Sequence, residues 1–449
     1  MLLTLAAAAC MLLPLPIMQY VGEEGLYAMK SYEMFVRGDY WHPSILGYVW
    51  PHPPLYHWPI IGICQLIGWE HVDIAIRLVS VTASWLSAIT VFLTARQLFR
   101  EHRQAGWLAA LVYLSMGEVS FWYGWLGYAD ATFGFFIFSA IAALWLALEK
   151  RHVPLFLLSL ILISLAFLTK NFTAYILYSL AGLVLLQRLG RWRLLLHPGF
   201  IIPGVAALGV PWLFQLLVVQ SGSSNAITTF RDAMRNFSGH GILDYLKHWL
   251  TYPLLFAFRA MPVSLVLIWL WLRRKVTFER HPTLVTLTLV LAVCFAPFWV
   301  SAGGTPRYLV PLYGLVALLL TCLLLQLEPA HYRLALKAIV VVVILKIPYS
   351  LGILPYIKDW RPERDVKAVA VEIANIVGDK PLLSHNDVST GLAVAAYLDV
   401  WQHRNPPIVW DYGKAHGVYV LAETSEPATG ELVQKWPLRG DTVYLYWRP

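Results

Sequence analysis

The chain has 449 residues, of which 58% are hydrophobic and 13% charged, and its mean hydropathy is +0.60. Soluble globular domains carry about 25% charged residues, so the composition excludes that class and places the chain in a membrane. The net charge of +8 is not a nucleic-acid footprint, because the basic residues fall in short clusters between apolar runs, and no nucleic-acid partner is expected.

Apolar runs that suit a bilayer lie at about 1–19, 76–95, 105–126, 131–148, 153–168, 172–187, 199–219, 249–272, 283–302, 308–327 and 338–355. A crossing needs roughly 20 residues. The pattern predicts an all-α polytopic membrane protein with about eleven transmembrane helices and no internal repeat. The first run lacks a basic leader and acidic sequence follows at once, so it reads as a retained helix and not a cleaved signal. Cys10, Cys64, Cys294 and Cys322 lie in or beside apolar runs without metal-ligand spacing, and read as small buried hydrophobes.

Lys and Arg set the orientation. Segments 96–104, 149–152, 188–196, 273–282 and 328–337 hold 14 basic residues in 42 positions, whereas 20–75, 127–130, 169–171, 220–248 and 303–307 hold 7 in 97. The first set is expected in the cytoplasm and the second outside. Segment 20–75 is amphipathic and punctuated by Pro, and reads as helices lying on the membrane surface. In segment 356–449, residues 358–379 have a helical period, and PLLSH, PPIVW, GVYVLAE and TVYLYWRP read as short strands. The expected organisation is a catalytic membrane domain over 1–355 and a small α/β domain over 356–449 on the outer face. The second domain would cover the site or help bind a substrate.

Several ionisable residues fall at the outer ends of the apolar runs. Glu23 and Glu24 follow the first run, Asp130 lies in the turn WLGYADATF, Lys170 in LTKNF and Arg307 in GGTPRYL; His52 and His57 lie in the surface segment. Charge near the bilayer is expensive and tends to mark function. Each residue also has a plainer reading. Glu23 or Glu24 would suit a helix start, Asp130 a helix cap, and Lys170 or Arg307 a headgroup contact. His52 would sit in a Pro-rich turn. Arg259, inside run 249–272, either pairs with a carboxylate or lies in an interfacial stretch. Trp122, Tyr123 and Trp125 form either an aromatic belt or walls on which a sugar stacks. Together, acids and bases on one side of a helix bundle suit a reaction between a phosphate-bearing lipid and a hydroxyl. The acid takes the hydroxyl proton and the cations absorb charge on a leaving phosphate.

The segment Glu23-Glu24-Gly25-Leu26-Tyr27-Ala28, followed by Glu33-Met34 and Gly38-Asp39-Tyr40-Trp41, resembles the first outer loop of the bacterial protein mannosyltransferase and lipid A aminoarabinose transferase group. These are integral-membrane glycosyltransferases of the GT-C fold that use polyprenyl-phosphate sugars. Their loop reads Asp-Glu-x-x-Tyr, then Glu-Met, Gly-Asp-Trp and Lys-Pro-Pro-Leu-x-Tyr-Trp. The last motif is His52-Pro53-Pro54-Leu55-Tyr56-His57-Trp58 here. Arg77-Leu78, Asp130, the LAFLTK stretch ending at Lys170 and Arg307-Tyr308-Leu309-Val310-Pro311 also resemble family features, in the same order, to about residue 327.

The resemblance implies inverting transfer of a sugar from a polyprenyl-phosphate donor to a hydroxyl of lipid A, another glycolipid, a polymer or a protein. It implies a multi-pass monomer of the bacterial inner membrane, with its active site and C-terminal domain in the periplasm. Glu23, Glu24 or Asp130 would be the catalytic carboxylate. His52, Lys170, Arg307, Tyr308 and Tyr27 would hold the donor and its phosphate, and His57 and Trp125 would line the substrate. Two departures matter: the leading Asp is Glu23, and the Glu-Lys before Pro-Pro is Pro51-His52. His52 makes the site sensitive to pH. Without the Glu, a divalent metal finds no support, and no cofactor is predicted. The alternative is a transporter or flippase for a lipid-linked or amphipathic substrate. Its usual internal repeats and midplane helix breaks are not seen in the sequence.

Overall fold

The computed structural model describes residues 1–49, 52–218, 241–385, 389–423, 425, 430–438 and 441–449. Pro51 and most of the expected outer loop 220–248 lie outside the described residues. The chain is a mostly helical multi-pass membrane protein with a small C-terminal sheet. Six helices are long and apolar enough to cross a bilayer: Trp69–Leu98, Ala129–Lys150, Pro198–Leu217, Pro282–Val300, Pro306–Leu324 and Pro329–Lys358. A seventh crossing forms if the pair Ile242–Arg259 and Val263–Leu272, bent by 116°, is one broken span.

Four of the eleven expected runs form shorter helices, for local reasons. The first run yields a nine-residue α-helix, Leu2–Cys10, and then turns through Ile17, where Pro14 and Pro16 withhold N–H donors. Runs 105–126, 153–168 and 172–187 form the shorter helices Ala105–Ser115, Val153–Thr169 and Thr173–Leu189. Run 249–272, expected as one helix, breaks after Arg259, where Pro262 cannot continue the ladder.

The chain divides into two compact units. The first comprises 1–11, 80–125 and 129–346. Ala129–Lys150 is its inner helix, buried along most of its length. Two glycines let other elements reach it. A Cβ on Gly134 would stand 3.1 Å from Val310, and one on Gly314 would strike the Phe138 ring at 2.4 Å. The 3-10 segment Pro306–Leu312 is thereby held against the start of the inner helix. Three helices begin alike: His152, His197 and His281 each accept a first-turn backbone N–H on the ring, and each is followed by Pro in the first turn.

The second unit comprises 12–79, 126–128 and 347–449. Helix Glu24–Arg37 ends at Gly38 (φ +66°), where the Gly38 and Asp39 N–H groups donate back to Phe35 and Met34. Its Gly25 lies so close to helix Ser389–Ala396 that a Cβ would meet Ala393 Cα at 2.9 Å. The five-stranded sheet runs Val409–Trp410, Leu382–Ser384, Val418–Ala422, Asp441–Arg448, Glu431–Leu438. The first three are parallel and the last two antiparallel. All four strands expected from sequence are present. Glu431–Leu438, helix Ser389–Ala396 and the hairpin Ser44–Ile45/Tyr48–Val49 are additions.

Asp411 ties the sheet's last strand to the loop after Trp410. Arg448 grips it with both terminal nitrogens, Nη1 to Oδ1 at 2.9 Å and Nη2 to Oδ2 at 2.8 Å. Burial alone would raise the Asp411 carboxyl, but the Arg448 fork, the Gly413 N–H and His385 outweigh it and hold it below the usual aspartate value. A carboxyl depressed in the folded state contributes stability above its unfolded value, near 3.9, and loses it as pH falls through the folded one. Hydrogen exchange in Val418–Ala422 and Asp441–Arg448 is therefore expected to accelerate, relative to intrinsic rates, as pH falls below about 4. Asp411→Asn is expected to flatten that dependence.

Candidate active site

Within the second unit, Glu24 and Arg77 form a fully buried ion pair, both side chains at 0% exposure. Arg77 Nε donates to Glu24 Oε1 at 3.0 Å and Nη2 to Oε2 at 2.6 Å. The carboxylate also accepts the Gly127 N–H at 2.7 Å and the Val21 N–H at 2.8 Å. The remaining guanidinium hydrogens reach the carbonyls of Leu15, Met18 and Gln19. Every group in the cluster is satisfied, as a buried charge requires.

Glu23, the other expected carboxylate, is half-buried at the N-cap of helix Glu24–Arg37. Its backbone N–H donates to the Tyr128 hydroxyl at 2.7 Å, and that hydroxyl donates to Val21 O at 3.3 Å. Gly22 makes room: at φ +60°, a Cβ there would lie 2.3 Å from the Tyr128 oxygen.

Tyr27 stands one turn further on. Its ring meets Tyr56 edge-on at 5.1 Å and lies 5.8 Å from Tyr128 and 6.2 Å from His57. His57, expected to line the substrate, is buried, with Nδ1 2.9 Å from Ser31 Oγ. Burial, then Lys30 and His52, push its imidazole down to about 3, so it is neutral at physiological pH. His52 itself is exposed.

The first unit holds a second cluster. Asp130 opens the inner helix, almost wholly buried, and Lys170 closes helix Val153–Thr169. Each charge therefore sits at the helix end whose dipole favours it. Lys170 Nζ lies 2.5 Å from Asp130 Oδ1, 5.0 Å from the centre of the Tyr308 ring and 5.7 Å from that of Phe133. The lysine keeps one-fifth of its side chain exposed, and Asp130 Oδ2 has no hydrogen-bond partner among the described residues. Arg307 lies beside the same Tyr308 ring, 5.6 Å from its centre. The expected residues Asp130, Lys170, Arg307 and Tyr308 therefore come together.

Trp125 does not offer a stacking face: it is 1% exposed, and the buried Lys346 ammonium lies 5.4 Å from its ring centre. Trp122 and Tyr123 instead flank the Arg259 guanidinium, at 4.9 and 6.0 Å. Arg259 pairs with Glu118 at 2.6 Å, a residue that sequence reading did not single out. Its signal was available: an acid inside apolar run 105–126 demands a partner as a lone cation does. Lys346, inside run 338–355, carried the same signal. Among the described residues, no three His, Cys, Asp or Glu side chains gather closely enough to hold a metal ion.

Residues 51–214 match the family model described as dolichyl-phosphate-mannose-protein mannosyltransferase. The undecaprenyl phosphate-alpha-4-amino-4-deoxy-L-arabinose arabinosyl transferase of Pseudomonas paraeruginosa is 32% identical over 317 residues, covering 68% of this chain and 56% of that protein. The transferase of the same name from Pseudomonas aeruginosa is also 32% identical, over 316 residues, with the same two coverages. The chain thus spans little more than half the length of these relatives. The crystal structure of ArnT from Cupriavidus metallidurans bound to undecaprenyl phosphate superposes with a TM-score of 0.68. It covers 99% of this chain and 97% of that one at 15% identity, a likeness of fold.

Proposed function

This chain belongs to the GT-C-fold group of bacterial protein mannosyltransferases and aminoarabinose transferases, and we propose from that premise that it is an inverting glycosyltransferase using a polyprenyl-phosphate sugar. The observation that carries the proposal is the Asp130–Lys170 pair with Tyr308 and Arg307 beside it. A nearly buried, partly open ammonium against an aromatic ring suits a lipid phosphate that arrives from the bilayer. The relatives bear transferase names, which favours this reading over a transporter or flippase.

In the proposed reaction, the donor enters laterally and an acceptor hydroxyl meets its anomeric carbon. Glu23 accepts the hydroxyl proton while the new carbon–oxygen bond forms. The bond from the anomeric carbon to the phosphate oxygen breaks on the opposite side. Polyprenyl phosphate leaves with the bonding pair, and Lys170 and Arg307 stabilise its charge, with Tyr308 alongside. Tyr27 and His52 are assigned to the donor, and His57 supports Tyr27. We assign Glu24 a holding role, since its lone pairs are committed to Arg77 and to two backbone N–H groups. Asp130 orients Lys170.

We further propose that residues 1–355 form the catalytic membrane part, with about eleven passes, and 356–449 a periplasmic α/β domain. The two 17-residue helices, Val153–Thr169 and Thr173–Leu189, add to the six or seven longer spans: at 1.5 Å per residue they reach roughly 25 Å, close to the roughly 30 Å hydrocarbon core. The chain is placed in the bacterial inner membrane as a monomer. The acceptor class is lipid A or another envelope glycan, lipid or protein.

The test of the carboxylate assignment uses Glu23→Gln and Asp130→Asn, each made singly in the purified chain. Glu23→Gln is expected to lower kcat by about 10²–10⁴-fold. Turnover like wild type in Glu23→Gln would refute the base assignment, and in Asp130→Asn the orienting one.

A further inference from the structure

Arg259 and Glu118 have no part in the reaction as described so far. Arg259 is the last residue of helix Ile242–Arg259, immediately before the 116° bend. The bend is fastened to helix Gly117–Phe121 by the Gly117 N–H, which donates to Met261 O at 2.9 Å. Arg259 Nη1 then donates to Glu118 Oε2 at 2.6 Å. The two side chains differ in access: Glu118 is 1% exposed and Arg259 is 14% exposed. The carboxylate is sealed, whereas the arginine, with Trp122 and Tyr123 beside its guanidinium, keeps part of its side chain open.

A guanidinium has five N–H donors in a rigid fork. Arg259 Nε is buried and donates to no acceptor among the described residues, and Glu118 Oε1 accepts no donor there. A buried ion pair is seldom retained for stability, because well-packed apolar residues of similar volume serve as well or better. The place of this pair is informative. Tyr123 lies in the combined field of Arg307, Glu118, Arg259 and Asp130, so Arg259 shares the electrostatic neighbourhood of the Lys170 cluster.

We propose that Arg259 is a binding residue for a lipid-borne phosphate, and that Glu118 is its positioning residue. The guanidinium donates to phosphate oxygens in the planar, two-point manner that suits arginine. Glu118 fixes the plane from behind, and Trp122 and Tyr123 wall the fork without competing for its hydrogens. The phosphate is that of the donor or of an anionic glycolipid acceptor. Only this choice of source rests on the transferase reading; phosphate binding itself does not.

The experiment is a binding measurement on the full purified chain in detergent, with no turnover required. Undecaprenyl phosphate is titrated against undecaprenol, and lipid A against its phosphatase-treated form. Wild type is expected to prefer the phosphorylated member of at least one pair, and that pair identifies the source. Arg259→Gln is expected to weaken that phosphorylated lipid on the order of tenfold or more, and to leave its phosphate-free counterpart unchanged. Glu118→Gln is expected to produce a smaller loss, severalfold, with Glu118→Asp recovering part of it. In turnover assays both losses are expected in KM more than in kcat.

If Arg259→Gln does not fold, the double variant Arg259→Gln/Glu118→Gln removes both charges and leaves neither buried alone. It is expected to show the same selective loss. Binding of both phosphorylated lipids at wild-type strength by the folded variant would overturn the proposal. Phosphate binding that depends on Arg259 in a chain that transfers no sugar would uphold it and refute the transferase reading instead.

Discussion

Replacing Lys170 by Met is expected to lower kcat for sugar transfer on the order of 10²–10³-fold. That is the range for removing one pre-positioned charge from a developing oxyanion in a site shielded from water. Lys170 is the residue best placed for this work. It carries the cation, its Nζ is held 2.5 Å from Asp130, and the Tyr308 ring lies 5.0 Å away. Lys170→Arg keeps the charge and changes its shape, so a partial return of activity is expected. Asp130→Asn leaves the cation in place but removes the charge that orients it. A smaller loss is expected there, read by steady-state kinetics on the same donor. Equal activity in wild type and Lys170→Met would remove the leaving-group assignment.

The second large effect is on stability. Glu24→Met strands Arg77 in a pocket where its side chain is 0% exposed. Breaking a buried pair by removing one partner costs about 3–5 kcal/mol, because the remaining charge keeps its desolvation penalty. Arg77→Met is expected to be similarly harmful, since it also abandons the Leu15, Met18 and Gln19 carbonyls. The double variant Glu24→Met/Arg77→Met is expected to be less destabilised than the sum of the two singles. Thermal unfolding of all four proteins in detergent checks the coupling. Additive losses would show that the pair is not the unit of stabilisation.

The comparison of Glu23 with Glu24 shows how far residues alone lead. Adjacent in sequence, they were equivalent candidates by charge and position. What separates them is Arg77, 53 residues away from Glu24, and the Gly127 N–H, 103 away. Pairing over such distances follows from tertiary packing and has no local signature. Asp130, Lys170 and Arg307 were legible because charge at the edge of an apolar run is costly and each marks the start or end of an element. The same reasoning extends to Glu118 and Lys346, which lie deeper inside apolar runs.

In the fold, the alternating strands were legible and Glu431–Leu438 was not. Its first five residues are exposed and the register shifts between Leu432 and Gln434, so no apolar alternation is written there. Hydropathy marks all of 1–19 as apolar, and the α-helix occupies only Leu2–Cys10 of it. Composition measures apolarity, whereas Pro14 and Pro16 decide where the helical ladder stops.

The most direct test of the central claim is sugar transfer in proteoliposomes that contain only the purified chain, a radiolabelled polyprenyl-phosphate sugar and lipid A. Covalent appearance of label on lipid A, with matching release of polyprenyl phosphate and loss of both in Lys170→Met, is the predicted result. Movement of the labelled donor across the bilayer, with no label transferred and no polyprenyl phosphate released, would contradict it.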